Sequence, residues 1–389
     1  MSRKRDSQEA EATLHGDVSS LGTTGLNAQE RLKNNSGQPA GRRGSWMTVM
    51  IIAVVIVGWL FVSARRQSRG LPAGNTAMAD VPTRYQADRA MRYLQEICKI
   101  GSRVTGSPGM AQQQAWLKGF FAEQGAAVSF QNFEIRHPED GSLVPVSNLV
   151  ATWFPERPKR FLLCAHYDTR PFPDSDPRNP KGRFIGANDG GSGVAALMEL
   201  AHQLRDLPSE IGVDIVLFDA EEFVWMQGRD EYFLGSNFFA EKYRADPPDI
   251  RYESGILLDM VGDRELKIYY EANSLRYARD VARGIFQTAR SLGVDAFVPR
   301  SRHRIEDDHI PLNEIAKIPT VDLIDFDYPR PGFGVPSYWH TEQDIPENCS
   351  GQSLATVVWV VHQWLLEQAS VVSANASVDQ VGTNGIGAN

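Results

Sequence analysis

His166 and Asp168 follow the apolar run Phe161-Leu162-Leu163-Cys164-Ala165, and Asp189 lies within Gly186-Ala187-Asn188-Asp189-Gly190-Gly191. Glu221 and Glu222 close the mostly apolar stretch 213–220, Asp259 ends Gly255-Ile256-Leu257-Leu258, and His340 sits in Ser337-Tyr338-Trp339-His340-Thr341. Imidazole and carboxylate are the ligand types that zinc selects when no thiolate cluster is present. The positions are far apart in sequence, so a fold must gather them. Short apolar runs alternating with helical patterns read as buried strands of a largely parallel sheet. In such sheets the ligand crevice lies beyond the carboxyl ends of the strands, where these side chains would meet.

Each position also has an ordinary reading. His166-Tyr167-Asp168 places two side chains on one side of an extended backbone, so the imidazole can bind metal while the carboxylate orients another ligand; His-x-Asp alone is commonly structural. Asp189 or Ser192 could simply cap the following helix, whereas the glycines around them would let backbone approach a metal closely. Glu221 and Glu222 repel each other unless something positive intervenes. Zinc would neutralise one and leave the other as a general base. A fully solvated loop fits poorly with Phe218, Phe223, Val224 and Trp225 on either side. Glu306-Asp307-Asp308-His309-Ile310-Pro311 reads as a helix start, with acids at the positive end of the dipole, or as a hydrogen-bonded carboxylate network.

The chain has 389 residues, 42% hydrophobic and 23% charged, with a net charge of −8. That balance supplies no basic footprint for nucleic acid. Cys98, Cys164 and Cys349 have no Cys-x-x-Cys spacing and are odd in number, which excludes a thiolate metal cluster and a complete disulfide framework.

Residues 1–45 are polar and expected to be disordered. Residues 46–64 open with a charge-free apolar run to Val62, flanked by Arg42-Arg43 and Arg65-Arg66. They are expected to form an N-terminal transmembrane helix, because about 17–25 apolar residues span a bilayer core. A cleaved signal peptide is the rival, but its core would be shorter and nearer the N-terminus. The arginines on both flanks give only a slight bias toward a cytoplasmic N-terminus, which would put the remainder on the extracytoplasmic side. Residues 65–84 read as a linker, 85–369 as the catalytic domain and 370–389 as a disordered tail. Within 85–369 the periodicity predicts helices at 193–206, 233–243, 274–293 and 351–368. It predicts strands at 127–135, 146–154, 161–165, 213–219, 255–260, 266–270 and 319–326. The alternation predicts a single α/β domain of three layers, α/β/α, around a central mixed, mostly parallel sheet.

From about Gly106 to Leu366 the sequence resembles the co-catalytic zinc aminopeptidase superfamily, and within it the glutaminyl cyclase branch. The matching segments are Val146-Ser147-Asn148-Leu149, Ala165-His166-Tyr167-Asp168, Ala187-Asn188-Asp189, Phe218-Asp219-Ala220-Glu221-Glu222 and Leu257-Leu258-Asp259-Met260-Val261-Gly262. Trp339-His340-Thr341-Glu342-Gln343-Asp344 is the last matching segment, and Glu306-Asp307-Asp308-His309-Ile310-Pro311 and Trp339-His340-Thr341 are similar to the cyclase branch in particular. The resemblance implies a zinc-dependent conversion of the N-terminal glutamine of peptides or proteins to pyroglutamate, with ammonia released. It implies Asp189, Glu222 and His340 as ligands of one zinc and Glu221 as the acid/base, with Asp259 and Asp307 in its hydrogen-bond network. Trp339 would line the substrate pocket, with Trp225 and Phe333 as further aromatic candidates. The alternative is a di-zinc aminopeptidase, in which His166 and Asp259 hold a second metal and Asp189 bridges. A binding domain without catalysis would be expected to lack a ligand or the base, and every such position is filled.

Overall fold

A computed structural model describes residues 80–326 and 338–382. The expected anchor at 46–64 and the aromatic candidate Phe333 lie outside the described residues, among which no helix is long and apolar enough to cross a membrane. In chain order the helices are α1 (Ala87–Ile100), α2 (Pro108–Glu123), α3 (Ser192–Leu204), α4 (Leu234–Ala245), α5 (Ala272–Tyr277), α6 (Arg279–Ser291), α7 (His309–Glu314) and α8 (Gly351–Gly382). The strands are β1 (Ala127–Arg136), β2 (Leu143–Trp153), β3 (Lys159–His166), β4 (Ile211–Phe218), β5 (Tyr252–Asp259), β6 (Ile268–Tyr270), β7 (Phe297–Ser301) and β8 (Thr320–Ile324).

Six strands form one sheet in the order β1-β2-β4-β3-β5-β8. The β4–β3, β3–β5 and β5–β8 pairs are parallel, and β1–β2 and β2–β4 are antiparallel. The sheet is therefore mixed and mostly parallel around its centre, as expected. β4 is buried along its whole length because helices cover both of its faces. Strand alternation divides the apolar side chains between two layers. Leu163, Ala165, Val213, Ile215 and Leu217 pack with α1, α3, α6 and α8. Leu162, Cys164, Val216, Phe218 and Leu257 pack with Phe239, Ala240 and Tyr243 of α4 and Leu312 of α7. Each fully buried Leu or Phe in these layers contributes roughly 1.5–3 kcal/mol relative to exposure.

Helix ends follow local chemistry where they can. α2 begins with Pro108 behind Ser107, whose side chain accepts from the Met110 amide. The single helix expected over 274–293 is two helices, broken at Ala278 (φ −135, ψ 42). Glu271 starts α5 early by accepting from the Asn273 and Ser274 amides, and the Ser274 hydroxyl accepts from Asp322 N of β8 at 2.9 Å. α6 instead packs on α8 through Ile285 and Ala289, so the chain must turn between them. β7 was not expected; it pairs in parallel with β6 in a small second sheet. α8 continues to Gly382, into the stretch expected to be a loose tail. No proline interrupts 370–382, and a helix already nucleated propagates at little cost.

Candidate active site

The parallel register brings the candidate residues to one edge. His166 ends β3 opposite Phe218, the last residue of β4, and Asp259 ends β5. Beyond β4 the chain turns through Ala220, which has φ 58, and delivers Glu221 and Glu222. Asp168 fastens this turn: its two carboxylate oxygens accept from the amides of Glu221 (3.1 Å) and Glu222 (3.0 Å). The loop before α3 is held in the same manner by Asp344, which accepts from Asn188 N at 2.7 Å and Asp189 N at 3.1 Å.

Ser192 does not cap α3. Its hydroxyl donates to Asn188 O at 2.6 Å and accepts from Val261 N at 2.9 Å, while Asn188 Oδ1 accepts from Gly262 N. The Asp189 loop is thus tied to the chain just after β5. Two glycines make the tie possible. A Cβ at Gly193 would stand 2.2 Å from Leu258 O, and one at Gly190, where φ is +77, would stand 2.4 Å from Asp168 O and 3.1 Å from the His166 ring. Met260 and His340 also adopt positive φ (47 and 54). Left-handed backbone costs a non-glycine residue about 1–2 kcal/mol, a cost borne here where the side chains must point inward.

Two groups of ligand atoms share Asp189. His166 Nε2 lies 3.2 Å from Asp189 Oδ1 and 3.2 Å from Asp259 Oδ1. His340 Nε2 lies 2.9 Å from Glu222 Oε1 and 3.4 Å from Asp189 Oδ2. Both groups are buried, with all ligand atoms of each within 4.8 Å of one another. Asp189 Oδ2 and Glu222 Oε2 are buried without a hydrogen bond. Such acceptors are costly unless a cation meets them, and with an imidazole beside them the donor set suits zinc. His166 Nδ1 also lacks a hydrogen bond and lies 3.7 Å from Glu221 Oε2.

Burial raises the Glu221 carboxyl well above its ordinary range; the charge of His166 opposes this, and Glu222, Asp307 and Asp308 reinforce it. Burial works against a charged His340, but Glu222, Asp174 and Asp189 outweigh it and push the imidazole up to about 10. The expected network is arranged differently from its description in the sequence. Asp259 bonds His166, and Asp307 acts on Glu221 by charge. Asp307 Oδ2 and both Asp322 oxygens are buried without hydrogen bonds, and Asp307, His309 and Asp322 form a further convergent group.

Aromatic side chains flank the centre. Trp339 stacks on His340 with ring centroids 3.6 Å apart and meets Phe326 at 5.5 Å. Trp225 packs with His137, Phe172 and Phe223. Sequence reasoning gave Asp344, the last residue of the matching segment 339–344, no role, and it missed Arg170 and Asp174. The guanidinium of Arg170 donates to Glu222 Oε1 at 3.0 Å and Asp174 Oδ2 at 2.7 Å, and Asp174 Oδ1 lies 3.3 Å from His340 Nδ1. Nothing in their local sequence distinguishes them from surface charge.

Residues 148–365 match the profile described as Peptidase family M28, and the chain belongs to that family. Among curated relatives, a glutaminyl-peptide cyclotransferase of Gloydius blomhoffii is 26% identical over 298 residues, 68% of this chain and 77% of the relative. The crystal structure of Fimbriiglobus ruber glutaminyl cyclase is 38% identical with a TM-score of 0.67, covering 72% of this chain and 95% of the other. A Parabacteroides distasonis structure described as a Zn-dependent exopeptidase is 34% identical with a TM-score of 0.67, covering 72% and 98%. Within the family the chain falls in the glutaminyl cyclase branch, as its resemblance implied.

Proposed function

We propose that this protein converts the N-terminal glutamine of peptides or proteins to pyroglutamate with release of ammonia, using zinc held by Asp189, Glu222 and His340. The observation that carries this reading is Glu221, a buried carboxylate whose amide is pinned by Asp168 beside that ligand group. The relatives named as cyclases and as a Zn-dependent exopeptidase support both the reaction and the metal. Zinc, when bound, supplies Lewis-acid polarisation of the γ-amide carbonyl.

The chain's own residues supply the rest. The substrate α-amine attacks its own γ-carbonyl carbon; an N–C bond forms and the bond to the amide nitrogen breaks. Glu221 accepts the proton leaving the amine and returns it to the departing nitrogen, so ammonia leaves and the carboxylate is restored. Its raised proton affinity suits both halves of that transfer. Because the nucleophile is within the substrate, positioning supplies much of the acceleration. The half-buried Trp339 forms a wall for the small side chain and limits water.

His166 and Asp259 could hold a second ion with Asp189, the arrangement of an aminopeptidase. Full-length protein purified in detergent with zinc and incubated with Gln-initiated and Leu-initiated peptides separates the two by mass spectrometry. Loss of one ammonia from the Gln peptide alone is the expected result. Removal of whole N-terminal residues from either peptide would overturn the cyclase reading. Residues 46–64 are further proposed to anchor the chain in a membrane, with the catalytic domain on the extracytoplasmic side.

A further inference from the structure

The Arg170 guanidinium is 1% exposed, pairs directly with Glu222 of the proposed ligand group and reaches its imidazole only through Asp174. It donates through one terminal nitrogen to Glu222 Oε1 (3.0 Å) and through the other to Asp174 Oδ2 (2.7 Å). The second oxygen of Asp174 faces His340 Nδ1 at 3.3 Å, and His340 Nε2 returns to Glu222 Oε1 at 2.9 Å. The four side chains thus close a ring, Arg170–Glu222–His340–Asp174. Tyr232 adds its ring 5.9 Å from the guanidinium carbon.

This geometry has two consequences. Arg170 engages only Oε1 of Glu222, while Oε2 is buried without a hydrogen bond, so the carboxylate presents one defined oxygen. Asp174 Oδ1, 3.3 Å from His340 Nδ1, is placed to keep that nitrogen as the N–H end of the ring, so that Nε2 is the atom a metal would meet. Asp174 is itself partly exposed, its side chain 34% accessible, and would wander without the guanidinium. A planar fork can hold two carboxylates at fixed angles; a lysine ammonium, a point charge on a flexible stem, cannot.

We propose that Arg170, acting through Asp174, is a positioning residue that sets zinc affinity by orienting Glu222 and His340 together. The inference rests on the zinc reading above. The test uses full-length protein in detergent, stripped with a chelator, and measures zinc affinity by competition with a fluorescent zinc indicator. Thermal unfolding of the metal-free protein is measured alongside. R170Q is expected to bind zinc about 10–100-fold more weakly, the usual effect of losing such a partner, in a metal-free protein that still unfolds cooperatively. R170K should recover part of the affinity but not all of it. D174N should also weaken binding, and R170Q/D174N should lose less than the product of the single losses, because both remove the same ring. R170K and D174N keep the test decisive should R170Q fail to fold. Wild-type affinity in R170K together with additive losses would overturn the proposal while leaving the zinc reading intact. A wild-type protein that binds no zinc would overturn both.

Discussion

Glu221 differs from Glu222 beside it by its surroundings rather than its type. Glu222 is met by Arg170 and His340, whereas Glu221 faces His166 at 3.7 Å and the charges of Glu222, Asp307 and Asp308. Glu221→Gln is expected to lower kcat by about 10²–10⁴-fold with bound zinc unchanged, checked by ammonia release and metal analysis on one preparation. The base works only when deprotonated, and burial places its proton affinity above the ordinary glutamate value of about 4.3. The kcat profile should therefore fall on the acid side with a midpoint above that value, even after a bound cation offsets the Glu222 charge. A limb at the ordinary glutamate value, measured across pH, would contradict this environment. The residues that converge could be picked from the sequence as imidazoles and carboxylates beside short apolar runs, whereas their division into proposed ligands and base came from the family resemblance. Arg170 and Asp174 could not be picked out, since their partners are brought near only by folding and their local sequence is that of any polar loop, and Asp344 stood in a matching segment with no role to read from it.

Elements follow the same division. β3, β4 and β5 could be read directly because helices on both faces demand a central run of apolar side chains, Phe161–Ala165, Ile215–Phe218 and Ile256–Leu258. The break between α5 and α6 could not, because it depends on α5 bonding β8 and α6 packing on α8. Glu271 governs that region. Burial disfavours its charge, but His309 and the amides of Asn273, Ile305 and Ser274 hold its carboxyl down at about 2. The folded value lies below the unfolded value of about 4.3, so its stabilisation is complete above that value and is lost as pH falls toward 2. Glu271→Gln should destabilise the protein by about 1–2 kcal/mol at pH 7, and the difference should shrink as pH falls from about 4 toward 3. Urea midpoints of the two proteins at neutral and acid pH check this; a gap that does not narrow on acidification would count against the charged role.

At the scale of the molecule, the alternation of strand-like and helical patterns indicated one α/β domain behind a polar N-terminal segment, and the described residues bear out the α/β architecture. If residues 46–64 anchor the chain, the full-length protein should remain in the membrane pellet after alkaline carbonate washing, while a chain begun at Gly70 should appear in the supernatant. Full-length protein released by carbonate would remove the anchor. The order of the site along the chain has its own consequence. Asp189 and Glu222 emerge from the ribosome well before His340, and the amides around Asp189 await Asp344, which emerges later still. A nascent chain therefore presents carboxylates without the imidazole that completes the group or the clamp that shapes it. If Asp189, Glu222 and His340 hold the zinc as proposed, metal acquisition is accordingly a late event in the life of each molecule, and it draws on whichever zinc pool surrounds the domain where folding ends.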